Sequence, residues 1–248
     1  MYISIIDFPR MRMQPKFEIP ECATCKPRLR SLLGELGSHD LESVSLHKGC
    51  NFHKAGQVLF QEGGYPAGLY CINKGKLKIY KLGDDGKEHI VRLVKEGDVA
   101  GYRSLISGEP YSASAEVLEE STICFIPKAT FFNLLKESSS FNARMMALLC
   151  HDLATAESRE LSLAQRSVRE RLAETLLMLK EFYGFEADGV TLKGTVSRSD
   201  LANMIGTSSE TVIRFLSEFK EKGIIGLDQK KICILNLAAL LRITHVFD

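Results

Sequence analysis

The stretch Arg198–Ser217 reads RSDLANMIGTSSETVIRFLS and has the spacing of two short helices joined by a tight turn. Ala202 is small enough for a second helix to cross it, and Gly206 can make the turn four residues later. Val212, six residues further on, can pack between the two helices. The remaining core positions are expected to be Leu201, Ile205 and Phe215. This pattern predicts a helix-turn-helix.

Cap signals and flanking strands extend the motif. Ser197 with Asp200, and Thr207 with Glu210, have the spacing of a capping box at the start of each helix. Strands are expected on both sides of the helices, at Val190–Leu192, Ile224–Leu227 and Lys231–Leu235. The last two can pair as a wing hairpin, so the unit is predicted to be a winged helix-turn-helix.

The second helix of the motif would expose a polar face suited to double-stranded DNA. Glu210 can accept a hydrogen bond from cytosine N4, and Arg214 can bond to guanine O6 and N7. The alternative is an ion pair between these two residues within the helix. Their position opposite Val212 and Phe215 favours DNA contact. The predicted DNA-contacting residues are Ser208, Ser209, Glu210, Ile213, Arg214, Ser217 and Lys220.

The segment Asn51–Pro127 has the texture of an antiparallel β-structure. Turn signals recur at short intervals, and Asp85-Gly86 lies between two runs that favour strands, Lys76–Leu82 and His89–Val94. Many short strands with frequent turns predict a compact roll or sandwich. Short helices are expected at Arg28–Leu36, around His39–His47 and at Ala129–Lys136.

A long helix is predicted from Phe141 to Arg166. Its apolar seam repeats at alternating spacings of three and four and comprises Met146, Leu149, Leu153, Ala156, Glu160 and Leu163. The seam could pack on the chain's own roll, but so narrow a stripe favours a two-stranded dimer interface. A second helix, Val168–Tyr183, follows directly, so a boundary is expected near residues 165–167.

Length and composition bound the remaining possibilities. The chain has 248 residues, a formal net charge of +1 and no apolar run near the roughly 18 residues of a membrane span. It is therefore expected to be cytoplasmic, with no membrane partner. Its near-neutral net charge does not indicate a basic protein that coats nucleic acid. No nucleophile–base pair or glycine-rich phosphate loop points to an enzyme. The predicted fold is α+β, with an arm at 1–21, a roll at 22–140, a dimerisation helix at 141–166 and a DNA-binding domain at 167–248.

This order of parts resembles the Crp–Fnr family of bacterial transcription regulators. Gly68–Gly75, which reads GLYCINKG, looks like the family's early roll strand, and Arg169–Leu172 looks like the start of its DNA-binding domain. Ser209, Glu210 and Arg214 fall where the family reads its operator. The resemblance implies a homodimer on a pseudo-palindromic TTGA/TCAA-like site, with RNA polymerase as a further partner.

The roll of this family takes a cyclic nucleotide by default, through a Glu on the ribose and an Arg on the phosphate. Tyr102 stands here where the Glu would be, and Tyr111 where the Arg would be. Without that Arg the phosphate loses its main charge-assisted contact. Binding of cyclic AMP is therefore not expected. The candidate effector pocket comprises Tyr102, Arg103, Tyr111 and Ser112.

Seven cysteines are many for a cytoplasmic chain, whose thiols are expected to stay reduced rather than form a disulfide framework. Cys22 and Cys25 form a CxxC pair on the arm. They and Cys124 match positions that ligate a [4Fe–4S] cluster in the oxygen-sensing Fnr branch, and such a cluster needs four thiolates. That branch has another cysteine where this chain has Ser31. Cys50 is expected to replace it, with Cys71 less favoured.

Other hypotheses stay open at this point. The signal could be thiol oxidation, haem or nitric-oxide chemistry, zinc, or a small molecule in the roll. Cys71, Cys124, Cys150 and Cys233 could be small hydrophobic residues, and His47 and His53 beside Cys50 could be further ligands. A different class of function is a ligand-gated module that acts on a partner protein and not on DNA.

Overall fold

The computed structural model describes residues 19–84 and 86–244, so most of the predicted arm lies outside the described residues. The strands are β1 (Gly49–His53), β2 (Val58–Phe60), β3 (Gly68–Lys74), β4 (Lys76–Leu82), β5 (Glu88–Lys95), β6 (Val99–Ala100), β7 (Ser114–Val117), β8 (Ser121–Pro127), β9 (Ile225–Asp228) and β10 (Lys231–Ile234). The helices are α1 (Ser38–His47), α2 (Tyr102–Ser107), α3 (Lys128–Glu137), α4 (Ser139–Gln165), α5 (Val168–Tyr183), α6 (Arg198–Ile205), α7 (Ser209–Glu221) and α8 (Leu237–Ile243). The predicted α+β class is confirmed.

The β-roll consists of two four-stranded antiparallel sheets. Their strand orders are β1-β8-β3-β6 and β2-β7-β4-β5. Alternate residues of each strand face the space between the sheets, where Ile72, Leu77 and Ile123 are buried. The predicted β4–β5 hairpin is present, with Leu82 opposite Glu88; Asp85 of its turn is outside the described residues.

The segment before α1 differs from the prediction. In place of a helix over Arg28–Leu36 there is a short 3-10 helix, Pro27–Arg30, followed by turns. Ser31 explains part of this, since its Oγ donates to the Arg28 carbonyl oxygen at 2.7 Å and accepts from the Leu33 N–H at 3.0 Å. Such local side-chain bonds compete with helical ones. Leu32 and Leu33 of this segment are buried in the same hydrophobic core as the start of α4.

The long helix α4 has 27 residues and so extends about 40 Å. Phe141 and Met145 in its first turns are buried against the roll. It ends at Gln165, inside the predicted break. Ser167 then starts α5 with a full capping box, in which its side chain and that of Glu170 bond to each other's backbone N–H.

The C-terminal unit has the core that a helix-turn-helix requires. Ala202 and Val212 are buried between α6 and α7, and Gly206 makes the turn with φ +65°, a left-handed conformation that suits glycine. The cap of α7 is Ser208, which accepts from the Thr211 N–H, so the predicted Thr207–Glu210 capping box is wrong. β9 and β10 form the wing.

Two smaller predictions in this unit need correction. Val190–Leu192 forms only isolated bridges, including Thr191 with Cys233, because the chain turns at Gly189 and Gly194 and cannot extend a ladder. Phe215 is only partly buried at the edge of the core, and the deep positions of α7 are Leu216 and Phe219.

The C-terminal unit packs on the roll sheet with the strand order β2-β7-β4-β5, where α6 contacts β5. Leu93 of β5 joins the hydrophobic core of that unit, and Lys95 Nζ donates to the Glu181 carbonyl oxygen at 3.2 Å. The Lys76 ammonium lies 5.4 Å from the centre of the Tyr183 ring. No helix in the described part of the chain is both long and apolar enough to cross a membrane.

Candidate nucleic-acid interface and sensor site

The outer face of α7 carries the predicted DNA-contacting residues in solvent. Ser208, Glu210, Ile213, Arg214, Ser217 and Lys220 are exposed and Ser209 is half-buried. Ile213 is 50% exposed, which places an apolar side chain where a thymine methyl group can meet it. The buried face, with Val212 and Phe219, holds the helix on its domain.

Glu210 and Arg214 are free to contact a ligand. In the described ranges no ion pair joins them; the Arg214 guanidinium instead lies 4.5 Å from the centre of the Phe215 ring. The pKa of Glu210 is lowered by its own backbone N–H and by the Ser208 hydroxyl. The carboxylate is therefore held ionised at the first turn of α7, as an acceptor for a base-edge amino group.

The predicted seam of α4 is largely uncovered in the single chain. Leu153 is 61% exposed. The other exposed residues of the seam are Met146, Ala156, Glu160 and Leu163. Leu149 differs from the prediction because it is half-buried and packs against the core of its own roll. Leu161 adds a further exposed apolar side chain to this part of α4.

The side chains of Tyr102 and Tyr111 fill the space of the candidate effector pocket. The Tyr102 ring is buried and its hydroxyl bonds to both Arg92 and Asp152. Burial raises the pKa of Tyr102 to about 12. Since Asp152 belongs to α4, this contact ties the roll to the long helix. Arg103 is exposed and donates to Ser112 Oγ at 3.0 Å, away from the interior.

An aromatic stack fills the interior near Tyr111. The Tyr111 ring lies 4.1 Å from that of Phe60, which in turn lies 5.6 Å from Tyr70, and Tyr70 lies 5.1 Å from Phe125. Tyr111 is buried, and burial raises its pKa to about 12. Tyr111 is therefore a neutral phenol within an aromatic stack.

Cyclic AMP is expected not to bind at this position. The two charge-assisted hydrogen bonds of an Arg fork are worth about 1.5–3 kcal/mol each, so their loss weakens binding by roughly 100-fold or more. Isothermal titration of the full chain with cyclic AMP measures this, with a DNA titration of the same sample as the control for competence. Saturable binding of one nucleotide per chain would contradict the expectation.

Five of the seven cysteines lie in one region, around the middle of β8. Cys50 and Cys124 form a disulfide that joins β1 to β8, so the expectation of reduced thiols is wrong for this pair. Strand pairing puts the two residues directly opposite each other, which explains the bond. Cys150 and Cys233 lie elsewhere, on α4 and β10.

Four cysteines line one cavity, namely Cys22, Cys25, Cys71 and Cys124. Its volume is about 40 Å³, room for roughly three water molecules. Asn73 Nδ2 donates to Cys25 Sγ at 3.3 Å. The pKa of the Cys71 thiol is raised to about 12 by burial first and then by its neighbours Cys22 and Cys25.

Cations and a serine complete the walls of this cavity. Arg28, Lys48 and Ser31 all line it. Arg28 Nε donates to the Cys22 carbonyl oxygen at 2.8 Å, and Lys48 Nζ bonds to the Pro20 carbonyl oxygen. Arg28 thus fixes the shape of the cysteine-bearing segment, and Lys48 joins the start of that segment to the end of α1.

The cavity as it stands does not fit an iron–sulfur cluster, although four cysteines line it. In the part of the chain that the structure describes, no group of three or more His, Cys, Asp or Glu side chains is already arranged to hold a metal ion. Cys124 is committed to Cys50, and the space is smaller than four iron and four sulfide ions need. The disulfide must open and the Cys22–Cys25 turn must move outward before four thiolates could ligate a cluster.

Two family models match the chain. A cyclic nucleotide-binding domain matches residues 51–138, and a Crp-like helix-turn-helix domain matches residues 170–243. The "Anaerobic regulatory protein" of Bacillus subtilis is 30% identical over 204 residues, which cover 82% of this chain and 84% of that protein. The "Fumarate and nitrate reduction regulatory protein" of Escherichia coli is 31% identical over 188 residues, covering 75% and 74%.

Solved structures have the same fold. A transcriptional regulator of the CRP/FNR family from Thermus thermophilus superposes with a TM-score of 0.69 at 24% identity, over 81% of this chain and all of that one. FixK2 from Bradyrhizobium japonicum gives 0.71 at 22% identity, over 79% and 96%.

Proposed function

The chain belongs to the Crp–Fnr family of DNA-binding transcription regulators, and on that premise we propose that it binds a pseudo-palindromic site as a homodimer under redox control. The observation that carries the DNA part is the outer face of α7, where Glu210 and Arg214 are exposed and joined by no ion pair in the described ranges. As in the family, RNA polymerase would be a further partner and the cytoplasm the site of action.

A parallel pair of α4 helices would form the dimer. The side chains of Met146 and Leu153 on α4 are exposed, although Leu148 and Leu149 between them pack against the roll. Two reading helices related by a two-fold axis contact half-sites about 34–36 Å apart. Footprinting on TTGA/TCAA-like sites tests this, and protection of a single asymmetric half-site would count against it.

Arg214→Ala is expected to weaken binding to the cognate site by about 1–3 kcal/mol, or roughly 5- to 150-fold, because a bidentate contact with guanine is lost. Binding to random DNA should change little. Fluorescence anisotropy with both DNAs at one salt concentration measures the difference.

Arg242→Ala is the matched control for this variant, since Arg242 is also exposed but lies on α8, away from the reading face. It should leave the cognate affinity unchanged. Equal losses by Arg214→Ala on cognate and random DNA would show that Arg214 contacts only phosphate.

The signal would act at the cysteine cavity. Four cysteine sulfur atoms line it together with Arg28 and Lys48, and a rearranged form with Cys124 released from Cys50 would offer thiolates to an iron–sulfur cluster. Such a cluster, when bound, would make the protein responsive to oxygen or nitric oxide, because both break it down. Purification without oxygen, followed by a visible spectrum and an iron and sulfide count before and after air, tests this part. A colourless, iron-free protein that still binds DNA would refute it.

The cysteine-bearing segment is joined directly to the dimer helix. Arg144 of α4 donates to the Ser31 carbonyl oxygen at 2.5 Å and to Glu35 Oε1 at 2.7 Å. Leu32 and Leu33 share a hydrophobic core with the start of α4. A movement of this segment would therefore change how α4 leaves the roll, and a bias of a few kcal/mol suffices to shift such an equilibrium.

A thiol–disulfide switch is the second candidate for the signal, and the Cys50–Cys124 bond favours it. It needs no metal and leaves the DNA-binding proposal unchanged. A DNA affinity that follows the ratio of dithiol to disulfide in an iron-free sample would support it.

A further inference from the structure

Ile213 is an apolar residue in the middle of the outer face of α7. It is 50% exposed, and in the described part of the chain it is not among the side chains that form or pack against the hydrophobic core of the C-terminal unit. Val212 and Leu216 fill that core from the buried face of the helix. Packing of the domain therefore does not account for an isoleucine at this position.

Ile213 lies between two charged side chains that are held in place. Glu210 is one turn before it, and hydrogen bonds from its own N–H and from the Ser208 hydroxyl lower its pKa. Arg214 follows it, and the Arg214 guanidinium lies 4.5 Å from the centre of the Phe215 ring. Residues three or four apart are neighbours on a helix surface, so Glu210, Ile213 and Arg214 share one side of α7.

The spacing of these residues puts Ile213 close to the base pair that its neighbours would read. An α-helix rises about 1.5 Å per residue, so Ile213 is about 4.5 Å beyond Glu210 along the axis and about 1.5 Å before Arg214. Base pairs in DNA are about 3.4 Å apart. When Glu210 accepts from a cytosine and Arg214 bonds to the paired guanine, Ile213 therefore comes within one base pair of them.

An isoleucine side chain favours one base over the others. The apolar group that a base presents in the major groove is the 5-methyl group of thymine. Contact between this methyl group and Ile213 removes apolar surface of both from water. Contact with the amino group of cytosine or adenine would instead leave a hydrogen-bond donor without a partner, which is costly. The preference therefore falls on thymine.

We propose that Ile213 determines part of the sequence specificity, by contact with the 5-methyl group of a thymine that adjoins the G·C pair bound by Glu210 and Arg214. This rests on the DNA part of the proposed function. In a TTGA/TCAA-like half-site two thymines adjoin the G·C pair, one before the guanine and one opposite the adenine that follows it. The outermost thymine does not adjoin that pair and so serves as an internal control.

Deoxyuridine in place of thymine tests the contact, because it lacks only the methyl group and still pairs with adenine. The full-length protein is titrated, by fluorescence anisotropy at one salt concentration, with palindromic duplexes that carry the replacement at one thymine position in both half-sites. Burial of one methyl group corresponds to roughly a fourfold change in affinity, so replacement in both half-sites should weaken binding by about 15-fold at one of the two adjoining positions. Replacement of the outermost thymine should leave the affinity unchanged.

Two substitutions assign the effect to this side chain. Ile213→Ala removes most of the contact, so it should weaken binding to the thymine duplex and bind the thymine and deoxyuridine duplexes alike. Ile213→Val keeps the branched side chain and should retain most of the discrimination. Leu46→Ala is the matched control, since Leu46 is also exposed but lies on α1, and it should behave like the unsubstituted chain. Because all these side chains are exposed, urea unfolding should be unchanged in each variant.

The outcomes separate this inference from the proposed function. Equal binding of the thymine and deoxyuridine duplexes by an unsubstituted chain that still prefers the TTGA/TCAA-like duplex to random DNA would overturn the inference and leave the DNA proposal standing. A loss only at the outermost thymine, or a loss that Ile213→Ala does not reduce, would overturn it as well. An unsubstituted chain with no preference for TTGA/TCAA-like DNA over random DNA would refute the DNA part of the proposed function, and this inference with it.

Discussion

A chain with Leu153→Glu is expected to be a monomer at concentrations where the proposed dimer of the unsubstituted chain would form. Leu153 is 61% exposed on α4, and in a two-fold symmetric pair of helices it lies near its own counterpart. The substitution would bury a carboxylate beside its copy, and an uncompensated buried charge costs about 3–5 kcal/mol. The dimer dissociation constant should rise by roughly 10²- to 10⁴-fold.

Sedimentation equilibrium measures this change directly. Leu46→Glu is the matched control, because Leu46 is 74% exposed but lies on α1, outside the seam. That variant should remain dimeric. The monomeric Leu153→Glu chain should also lose its preference for a two-half-site DNA over a single half-site. A dimer that survives Leu153→Glu would show that α4 pairs through another face.

Phe219→Ala is expected to lower the free energy of unfolding of the C-terminal unit by about 3–5 kcal/mol, as for other large-to-small changes in a core. Phe219 is fully buried, and the Arg169 guanidinium of α5 lies 5.4 Å from the centre of its ring. Arg169 Nε also donates to Glu218 Oε1 at 3.0 Å. Removal of the ring therefore disturbs both the core and the contact that fixes α7 to α5.

Urea unfolding of the full chain, followed by circular dichroism, measures the loss. Phe52→Ala is the control, since the Phe52 ring on β1 is exposed and its removal should cost within about 1 kcal/mol. Because α7 carries Glu210 and Arg214, DNA binding should fall in parallel with the unfolded fraction. Equal stability of the two variants would contradict the packing described for α7.

Local steric rules are the reason that the DNA-binding unit can be predicted from sequence. Ala202, Gly206 and Val212 lie close together in the chain, and each has one geometric task that few other residues can perform. The long helix can also be predicted from sequence, because its apolar seam repeats at spacings of three and four residues over many turns. The cap of α7 lies one residue beyond the predicted one, since Thr207 and Ser208 are both good caps.

The sensor region cannot be predicted in the same way because it depends on contacts between distant residues. That Cys71 and Cys50 flank Cys124 follows from the strand order β1-β8-β3, which no local pattern specifies. The stack of Tyr111 on Phe60 likewise joins residues that are far apart in the chain. Leu149 fits the seam by spacing, yet the roll lies close enough to cover it.

The hydrogen bond between Arg144 and residue 31 has a consequence for how such sensors can diverge. Arg144 reaches the main-chain carbonyl oxygen, which is present whichever side chain position 31 carries. A substitution there leaves the connection to the long helix in place. Position 31 can therefore change during evolution without loss of the bond that joins this turn to α4.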